Sequence, residues 1–341
     1  MNDIINFQKK IIPEMIELLD KRYNILRIIY HNRPIGRRTL ANYLNLGERV
    51  VRSEVNILKK QKLLEVKSMG MNITEDGVKI IEDLKEFMYQ LKGLSNLEDQ
   101  LKEILDLKDI FVVQGDFDKD QYVLSDIGNE ASRHIFNVID DNNILGITGG
   151  TTMAKIAEEM PDNNSVKDIL VLPARGGIGR NLETQSNNIS AKIAEKLGGN
   201  YKLLHIPDNI GREALDTLMK FDEIKSLIDS IKKIDVLVFG IGRSDTMAQR
   251  RNLSKDVIES LENKGSVAEA FGYYFNIKGE IIMESNTVGL NLEDFKNIKN
   301  VIGVAAGSRK AESIIAIAAL RNDITLIIDE GAAREILEIV K

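Results

Sequence analysis

The spacing of apolar residues along the chain changes twice, and each change predicts a different kind of element. Residues 21–31 (KRYNILRIIYH) set Tyr23, Leu26, Ile29 and Tyr30 on one face at helical spacing. The stretch NRPIG breaks that helix, and GRRTLANYL starts a second one with Leu40, Tyr43 and Leu44 inward. Leu46-Gly47 makes a tight turn, after which ERVVRSEVNILKKQK buries Val51, Val55 and Leu58. Helix, short turn, helix is the helix-turn-helix arrangement, whose second member is the recognition helix. LLEVKSMGMNIT then reads as two short strands around Met69-Gly70, a wing. Residues 74–101 form a long helical stretch in which Ile81, Leu84, Met88 and Leu91 recur at alternating three- and four-residue steps, the a/d spacing of a coiled-coil seam. That stripe suits either a second copy of the chain or the body of the same chain.

From about residue 105 the pattern becomes short apolar runs separated by amphipathic stretches. The runs are 110–113, 144–148, 169–173, 202–206, 236–240, 301–306 and 325–329, with helices over 151–160, 186–197, 309–320 and 331–340 among the intervening segments. Near-continuous apolar strands alternating with helices predict an α/β fold, a mostly parallel, doubly wound sheet covered on both faces. Segment 266–290, richer in Tyr and Phe and with two Gly turns, predicts an antiparallel excursion.

Charge sharpens this division. The whole chain of 341 residues carries −6, yet residues 21–67 hold twelve Lys and Arg against three Glu, a net +9, which leaves −15 for the remainder. A basic head on an acidic body is the footprint of nucleic-acid binding confined to one module. Two domains are expected, 1–93 for DNA contact and 94–341 for control. Arg49, Arg52, Ser53 and Asn56 lie on the outer side of the third helix, where Arg and Asn can reach base edges. Arg38 and Thr39 open the supporting helix, and Lys59 and Lys60 close the recognition helix as phosphate contacts. The expected partner is double-stranded operator DNA. Two copies at fixed spacing suit a dyad-symmetric operator, so a homo-oligomer, dimer or tetramer, is expected.

Composition excludes several chemistries. Cysteine is absent, which removes disulfides and thiolate sites, and three His without H-E-x-x-H spacing argue against a zinc enzyme. Asp3, Glu14 and Glu17 interrupt any signal-like apolar run, and no run approaches a membrane span, so a reducing, cytoplasmic location is expected. No metal and no cofactor is expected.

In a parallel sheet, ligands bind outside the carboxyl ends of strands. After ILGIT comes Gly149-Gly150-Thr151-Thr152 opening a helix, a backbone and hydroxyl arrangement suited to phosphate. It is neither a Walker A loop nor a dinucleotide fingerprint. ILVLP leads into Ala174-Arg175-Gly176-Gly177-Ile178-Gly179, VLVFG into Ile241-Gly242-Arg243-Ser244-Asp245-Thr246-Met247-Ala248-Gln249-Arg250-Arg251, and VIGVAA into Gly307-Ser308-Arg309-Lys310. Three strand ends thus place cations over one sheet edge of an acidic domain, enough for two phosphates.

These motifs resemble the SorC family of bacterial transcriptional regulators. The resemblance runs through GITGGTTMA, LPARGGIG, TQSNNI, FGIGRSDTMAQRR, EAFGYYFN, VAAGSRKAESI and DEGAA, over residues 146–333, and the basic head fits the same family. It implies an effector domain similar in fold to sugar-phosphate isomerases and glucosamine-6-phosphate deaminases, and a repressor of a glycolytic operon with fructose 1,6-bisphosphate as effector. It also implies that Gly149, Gly150, Thr151, Thr152 and Lys310 hold one phosphate and Arg175 and Arg250 the other, with Gln185 and Glu269 near the sugar hydroxyls.

An enzyme on this fold is the alternative, since fold alone does not decide function. A sugar-phosphate isomerase or deaminase needs a general base and a ring-opening acid. The related deaminases carry Asp-Gly-His after their Gly-Ile-Gly turn; here that place reads Arg243-Ser244-Asp245-Thr246. His134 and His205 lie on or beside apolar elements, which leaves Asp245 and Glu269 as the only carboxylates placed for catalysis. A non-enzyme is expected.

Overall fold

The computed structural model describes residues 10–163, 165–177, 181–206, 210–285 and 287–341, so Asp3, Ile178 and Gly179 lie outside the described residues. The chain divides into two compact units, one up to Ser95 and one from Asn96.

The first unit opens with α1 (Pro13–His31), α2 (Arg37–Leu44) and α3 (Glu48–Lys60), followed by the hairpin β1 (Leu64–Lys67) and β2 (Gly70–Ile73) and by α4 (Glu75–Lys92). Its core is the inward stripe of each helix: Ile25, Leu26 and Ile29 from α1, Leu40 and Ala41 from α2, Val51, Val55 and Leu58 from α3. Leu40 is buried as expected, but Tyr43, also expected inward, is exposed, and Ala41 is buried instead. The NRPIG segment does more than break a helix, because Ile35 pairs with Met71 of the wing through two backbone hydrogen bonds of 3.1 and 2.8 Å. Arg22 of α1 donates to Glu54 of α3 at 2.8 Å, both partly buried, which fixes the recognition helix against the first helix.

The a/d stripe of α4 has a different partner from either one expected. Ile81, Leu84, Met88 and Leu91 pack with Ile16, Leu19 and Tyr23 of α1, inside the same unit. The long helical stretch is also two helices: Gly93, at φ 67, ends α4, and α5 (Leu94–Leu105) follows.

In the second unit, β3 (Asp109–Val113), β4 (Ile144–Ile147), β5 (Leu170–Pro173), β6 (Asn200–Tyr201), β7 (Val236–Gly240), β12 (Asn300–Val304) and β13 (Ile324–Asp329) form a parallel sheet in the order β3-β13-β12-β7-β4-β5-β6. The inner strands β13, β12, β7, β4 and β5 are buried on both faces, which is why they read as apolar runs, whereas the edge strand β6 is exposed. On one face Val236 and Val238 of β7 pack with Leu145 and Ile147 of β4 and with α6 (Val123–Val138), α7 (Thr151–Glu159) and α8 (Ser186–Leu197). On the other, Phe239 of β7 meets Phe271 and Phe295 with ring centroids 5.1 and 5.7 Å away. Residues 202–206, expected as a strand, are not one; pairing stops at Tyr201, and the side chain of Asn187 takes both the N–H and the carbonyl of Leu204.

The antiparallel excursion is a second sheet, β11-β10-β9-β8, made of β8 (Gly242–Arg243), β9 (Ser266–Ala270), β10 (Tyr273–Asn276) and β11 (Ile281–Glu284). Between β7 and β9 stand α11 (Ser244–Arg250) and α12 (Lys255–Asn263), with α9 (Arg212–Leu218) and α10 (Asp222–Ile231) before β7. After β11 come α13 (Leu292–Asn297), α14 (Ala311–Ala318) and the closing α15 (Glu330–Val340).

Candidate effector site

Strand order reverses between β4 and β7: from β4 the chain winds outward through β5 and β6, and from β7 through β12 and β13. A crevice forms at such a switch point beyond the carboxyl ends of the strands. The two strands are tied there by Thr148, whose Oγ1 accepts the Gly240 N–H at 3.1 Å. The cavity is about 770 Å³, within the range of small-ligand sites. Gly149, Gly150, Thr151, Thr152, Arg175, Arg250, Glu269 and Lys310, eight of the nine expected effector residues, line it.

The two glycines play different parts. A Cβ on Gly149 would lie 2.8 Å from the carbonyl oxygen of Thr184, so this glycine allows the loop to close on the turn at Leu182–Thr184. Gly150, at φ 121, is the N-cap of α7 and has no side-chain capping bond there. Gly150 and the first turn of α7, Thr151, Thr152 and Met153, line the cavity, and a helix N-terminus at a cavity wall is an arrangement that binds anions. Thr152 is buried and Thr151 exposed. Gln185 is not among the lining residues; it packs against Gly177, whose Cβ would sit 2.5 Å from its Oε1.

Arg175 and Glu269 are engaged with each other. Oε1 of Glu269 accepts from Nη1 of Arg175 at 3.0 Å, from Nη2 of Arg251 at 3.0 Å and from the Gly272 N–H at 2.7 Å. All three side chains are buried. Burial alone would raise the Glu269 carboxyl; Arg175, Arg251 and the Gly272 amide outweigh it and hold the group ionised. The Gly272 contact requires the tight β9–β10 turn, in which Phe271 and Gly272 both take positive φ, 55 and 87. Arg251, which the motif pattern did not single out from its neighbour Arg250, belongs to this buried group.

Lys310 and Arg250 differ. Lys310 donates to the carbonyl of Ile241 at 2.8 Å, and among the described residues neither it nor Arg250 has an ion-pair partner. Desolvation, with Arg250 and Arg243 adding like charge, lowers Lys310 to about 8, against the smaller pull of Asp329 and Asp118. Asp329, the first residue of the DEGAA motif, is fully buried and accepts the N–H groups of Phe117, Gly307 and Ala332. It caps α15 and at the same time fixes the turn that carries Lys310. An Asp between a strand and a helix was the available signal.

In the first unit Arg38, Thr39, Arg49, Arg52, Ser53, Asn56, Lys59 and Lys60 are all exposed, while Val51, Val55 and Leu58 of the same helix are buried. Lys62 and Lys67 join Lys59 around a shallow groove beside the wing. Among the described residues no group of His, Asp and Glu could hold a metal, and no helix is long and apolar enough to cross a membrane.

A basic winged helix-turn-helix and a parallel-sheet unit with a cation-lined cavity at its switch point define a class, the DNA-binding regulator that carries a small-molecule-sensing unit. Comparison with known proteins bears this out. A family model described as "Putative sugar-binding domain" matches residues 89–338, and one described as "CggR N-terminal DNA binding domain" matches residues 18–88. The central glycolytic genes regulator of Priestia megaterium is 42% identical over 338 residues, covering 99% of each chain. That of Bacillus subtilis is 40% identical over 337 residues, again 99% of each. The solved full-length sorbitol operon regulator SorC from Klebsiella pneumoniae superposes with a TM-score of 0.67 over 95% of this chain and 99% of that one; at 16% identity it speaks to the fold alone. The chain belongs to the SorC family of bacterial transcriptional regulators, alongside the central glycolytic genes regulators.

Proposed function

We propose that the protein is a repressor of a glycolytic operon whose operator affinity is set by a phosphorylated sugar, fructose 1,6-bisphosphate, in the switch-point cavity. The observation that carries this reading is a pair of cations, Lys310 and Arg250, lining a cavity without a carboxylate partner of their own beside the helix N-terminus that Gly150 opens. Lys310 is desolvated there, which is costly unless an anion compensates it, and exposed Arg250 adds positive charge at the edge. One phosphate goes to Gly150, Thr151, Thr152 and Lys310, the other to the Arg250 side. Arg175 then acts through Glu269 and the cavity wall more than as a free phosphate ligand, because its guanidinium already serves that carboxylate.

The enzyme alternative is disfavoured by the same geometry. Asp245 is held by Arg243 and Glu269 by two arginines, so neither is a carboxyl poised to exchange a proton near neutrality, and no histidine lines the cavity. The protein works in the cytoplasm as a homo-oligomer; since α4 packs on α1, pairing of copies would use a surface other than the Ile81–Leu91 stripe.

The test is a thermal-shift panel with fructose 1,6-bisphosphate, fructose 6-phosphate, ribose 5-phosphate and glucosamine 6-phosphate, followed by operator binding with and without the hits. A ligand at 100 times its Kd adds about 2.7 kcal/mol of stability. Stabilisation by the bisphosphate and a change in operator affinity are expected, with no turnover of the monophosphates. Thr152→Glu puts a carboxylate where the dianion docks and abolishes both effects. No shift with any phosphosugar, or turnover lost in Asp245→Asn, would overturn the reading.

A further inference from the structure

Arg243 lines the cavity and, unlike Lys310 and Arg250, is ion-paired, with all three guanidinium nitrogens donating. Nε donates to Oδ1 of Asp245 at 3.1 Å and Nη2 to Oδ2 at 2.6 Å, a fork-on-fork pair, and Nη1 donates to the carbonyl oxygen of Arg309 at 3.2 Å. The last bond puts the guanidinium beside the turn that carries Lys310. Asp245 itself is not part of the cavity lining. It sits in the first turn of α11, where Oδ1 also accepts the N–H of Thr246 at 2.6 Å and its hydroxyl at 3.2 Å. The helix therefore anchors the carboxylate, and the carboxylate draws the guanidinium to the rim.

As a stabilising contact the pair is weak, because both side chains are more than a third exposed, 36% and 41%. Its consequence is positional. A carboxylate satisfies the guanidinium fork in the same bidentate geometry that a phosphate does, and a phosphate dianion is the stronger partner. Exchange is also inexpensive for Asp245, since the Thr246 N–H and hydroxyl remain on it after the arginine leaves.

We propose that Asp245 is a built-in stand-in for ligand phosphate: it holds Arg243 at the rim, Arg243 exchanges it for the phosphate beside Lys310, and the pair thereby sets the affinity of the cavity for phosphorylated ligands. This deepens the phosphosugar reading and rests on it. Asp245 is a positioning residue that competes with the ligand, and Arg243 is a further phosphate contact beyond those carried by the sequence motifs.

The experiment is calorimetry on the full chain with fructose 1,6-bisphosphate and inorganic phosphate as probes, for wild type, Asp245→Asn, Asp245→Glu, Arg243→Gln and the Arg243→Gln/Asp245→Asn double variant. Asp245→Asn is expected to bind both probes at least threefold more tightly, a gain that mere structural damage does not produce. Asp245→Glu, which keeps the competing charge, stays near wild type. Arg243→Gln binds about tenfold more weakly, and in that background Asp245→Asn changes affinity by less than twofold, which separates release of the fork from a general gain in positive field. Unchanged or weaker binding in Asp245→Asn while wild type binds, or equal tightening with and without Arg243, would overturn the exchange and leave the phosphosugar reading intact. Failure of wild type to bind either probe would overturn both.

Discussion

The recognition helix and the cavity use the same residue types in opposite surroundings. On α3 Arg49, Arg52, Lys59 and Lys60 are exposed, and the carboxylates beside them are exposed too: Glu48 is 3.7 Å from Arg38, and Glu65 pairs with Lys67 at 2.8 Å. At the cavity three cations have a defined partner: Arg175 shares buried Glu269 with Arg251 behind it, Arg243 is held by Asp245, and Lys310 rests on a backbone carbonyl, while Arg250 is exposed at its edge. Exposed cations act through their number, are screened by salt and suit a polyanion whose counterions they release. Partly buried cations act through position, so the partner of each one decides what it can do. Removing a charge from the head should therefore grade an affinity, whereas removing one from the cavity should break a structure or invert a preference.

The largest break comes from the cavity wall. Glu269→Gln leaves the Arg175 and Arg251 guanidiniums buried without their carboxylate, and removing one partner of a buried charge group costs about 3–5 kcal/mol. Urea unfolding should show that loss, and a change below about 1 kcal/mol would mean that the two arginines find other acceptors. The pH dependence has a definite sign. The folded-state carboxyl is held below its unfolded value, so its contribution is present above the unfolded pKa, about 4.5, and is lost as pH falls through the lower folded value. Wild type should lose part of its advantage over Glu269→Gln as the solution is acidified below that point.

On the head, Arg52→Ala should cost about 1–3 kcal/mol of discrimination if the guanidinium reads a base edge from the exposed face of α3. Affinities for the operator and for a scrambled duplex at one salt concentration measure it. Equal losses on both duplexes would assign Arg52 to the phosphate backbone instead.

Lys310 sharpens the comparison through protons, since its exposed counterparts on α3 carry no comparable burial. Desolvation lowers its folded pKa to about 8. Between that value and its ordinary one near 10.5 the unfolded chain binds the extra proton, so the ligand-free protein gains stability as pH rises through this window. Phosphate affinity runs the other way. Sugar phosphates are already dianions above pH ~7, so a site that needs the charged amine should weaken by up to about tenfold per pH unit above 8. Calorimetry at pH 7, 8 and 9 should show this slope with proton uptake, and Lys310→Arg should flatten it. A pH-independent Kd in wild type would place the phosphate away from the amine.

Much of this was legible in the sequence, and the failures have identifiable causes. The buried strands read well because both faces of the sheet are covered, so burial pattern and apolar run coincide, as in VLVFG of β7. The 202–206 run misled because apolarity does not say what takes the backbone: the Asn187 side chain captures the amide and carbonyl of Leu204 where a strand neighbour would. The stripe on α4 announced a partner without naming it, and α1 was nearer in the chain than any second copy. Within the site, the strand-end rule gathered the lining residues but could not sort them. Arg250 and Arg251 are adjacent at the end of one short helix, and a single step of about 100° sends the first to the cavity and the second to Glu269. Gln185, expected near the sugar hydroxyls, packs on Gly177, next in the chain to the lining residues Thr184 and Ser186.

The smallest expected effect is the most diagnostic of how the head works. Lys59 and Lys60 close α3 with exposed side chains, and Lys59 borders the groove that also holds Lys62 and Lys67 beside the wing. Each is one of several similar charges, so Lys59→Ala should weaken operator and scrambled duplex alike and leave their ratio unchanged. Its signature lies in the salt dependence. Every lysine–phosphate pairing that a substitution removes takes about one unit from the slope of log affinity against log salt, because fewer counterions are released on binding. Fluorescence anisotropy across a salt series, for wild type, Lys59→Ala and Lys59→Ala/Lys60→Ala, should therefore give slopes that step down by about one and about two. Melting temperatures should not move, since neither side chain packs on the core or is ion-paired among the described residues. A buried cation cannot behave in this way: Arg175 or Arg251 exchanged for alanine should alter stability first and the salt slope of DNA binding not at all. If Lys59→Ala instead changed the ratio between the two duplexes, that lysine would be reading sequence, and the division between cations that count by number and cations that count by position would fail at the head.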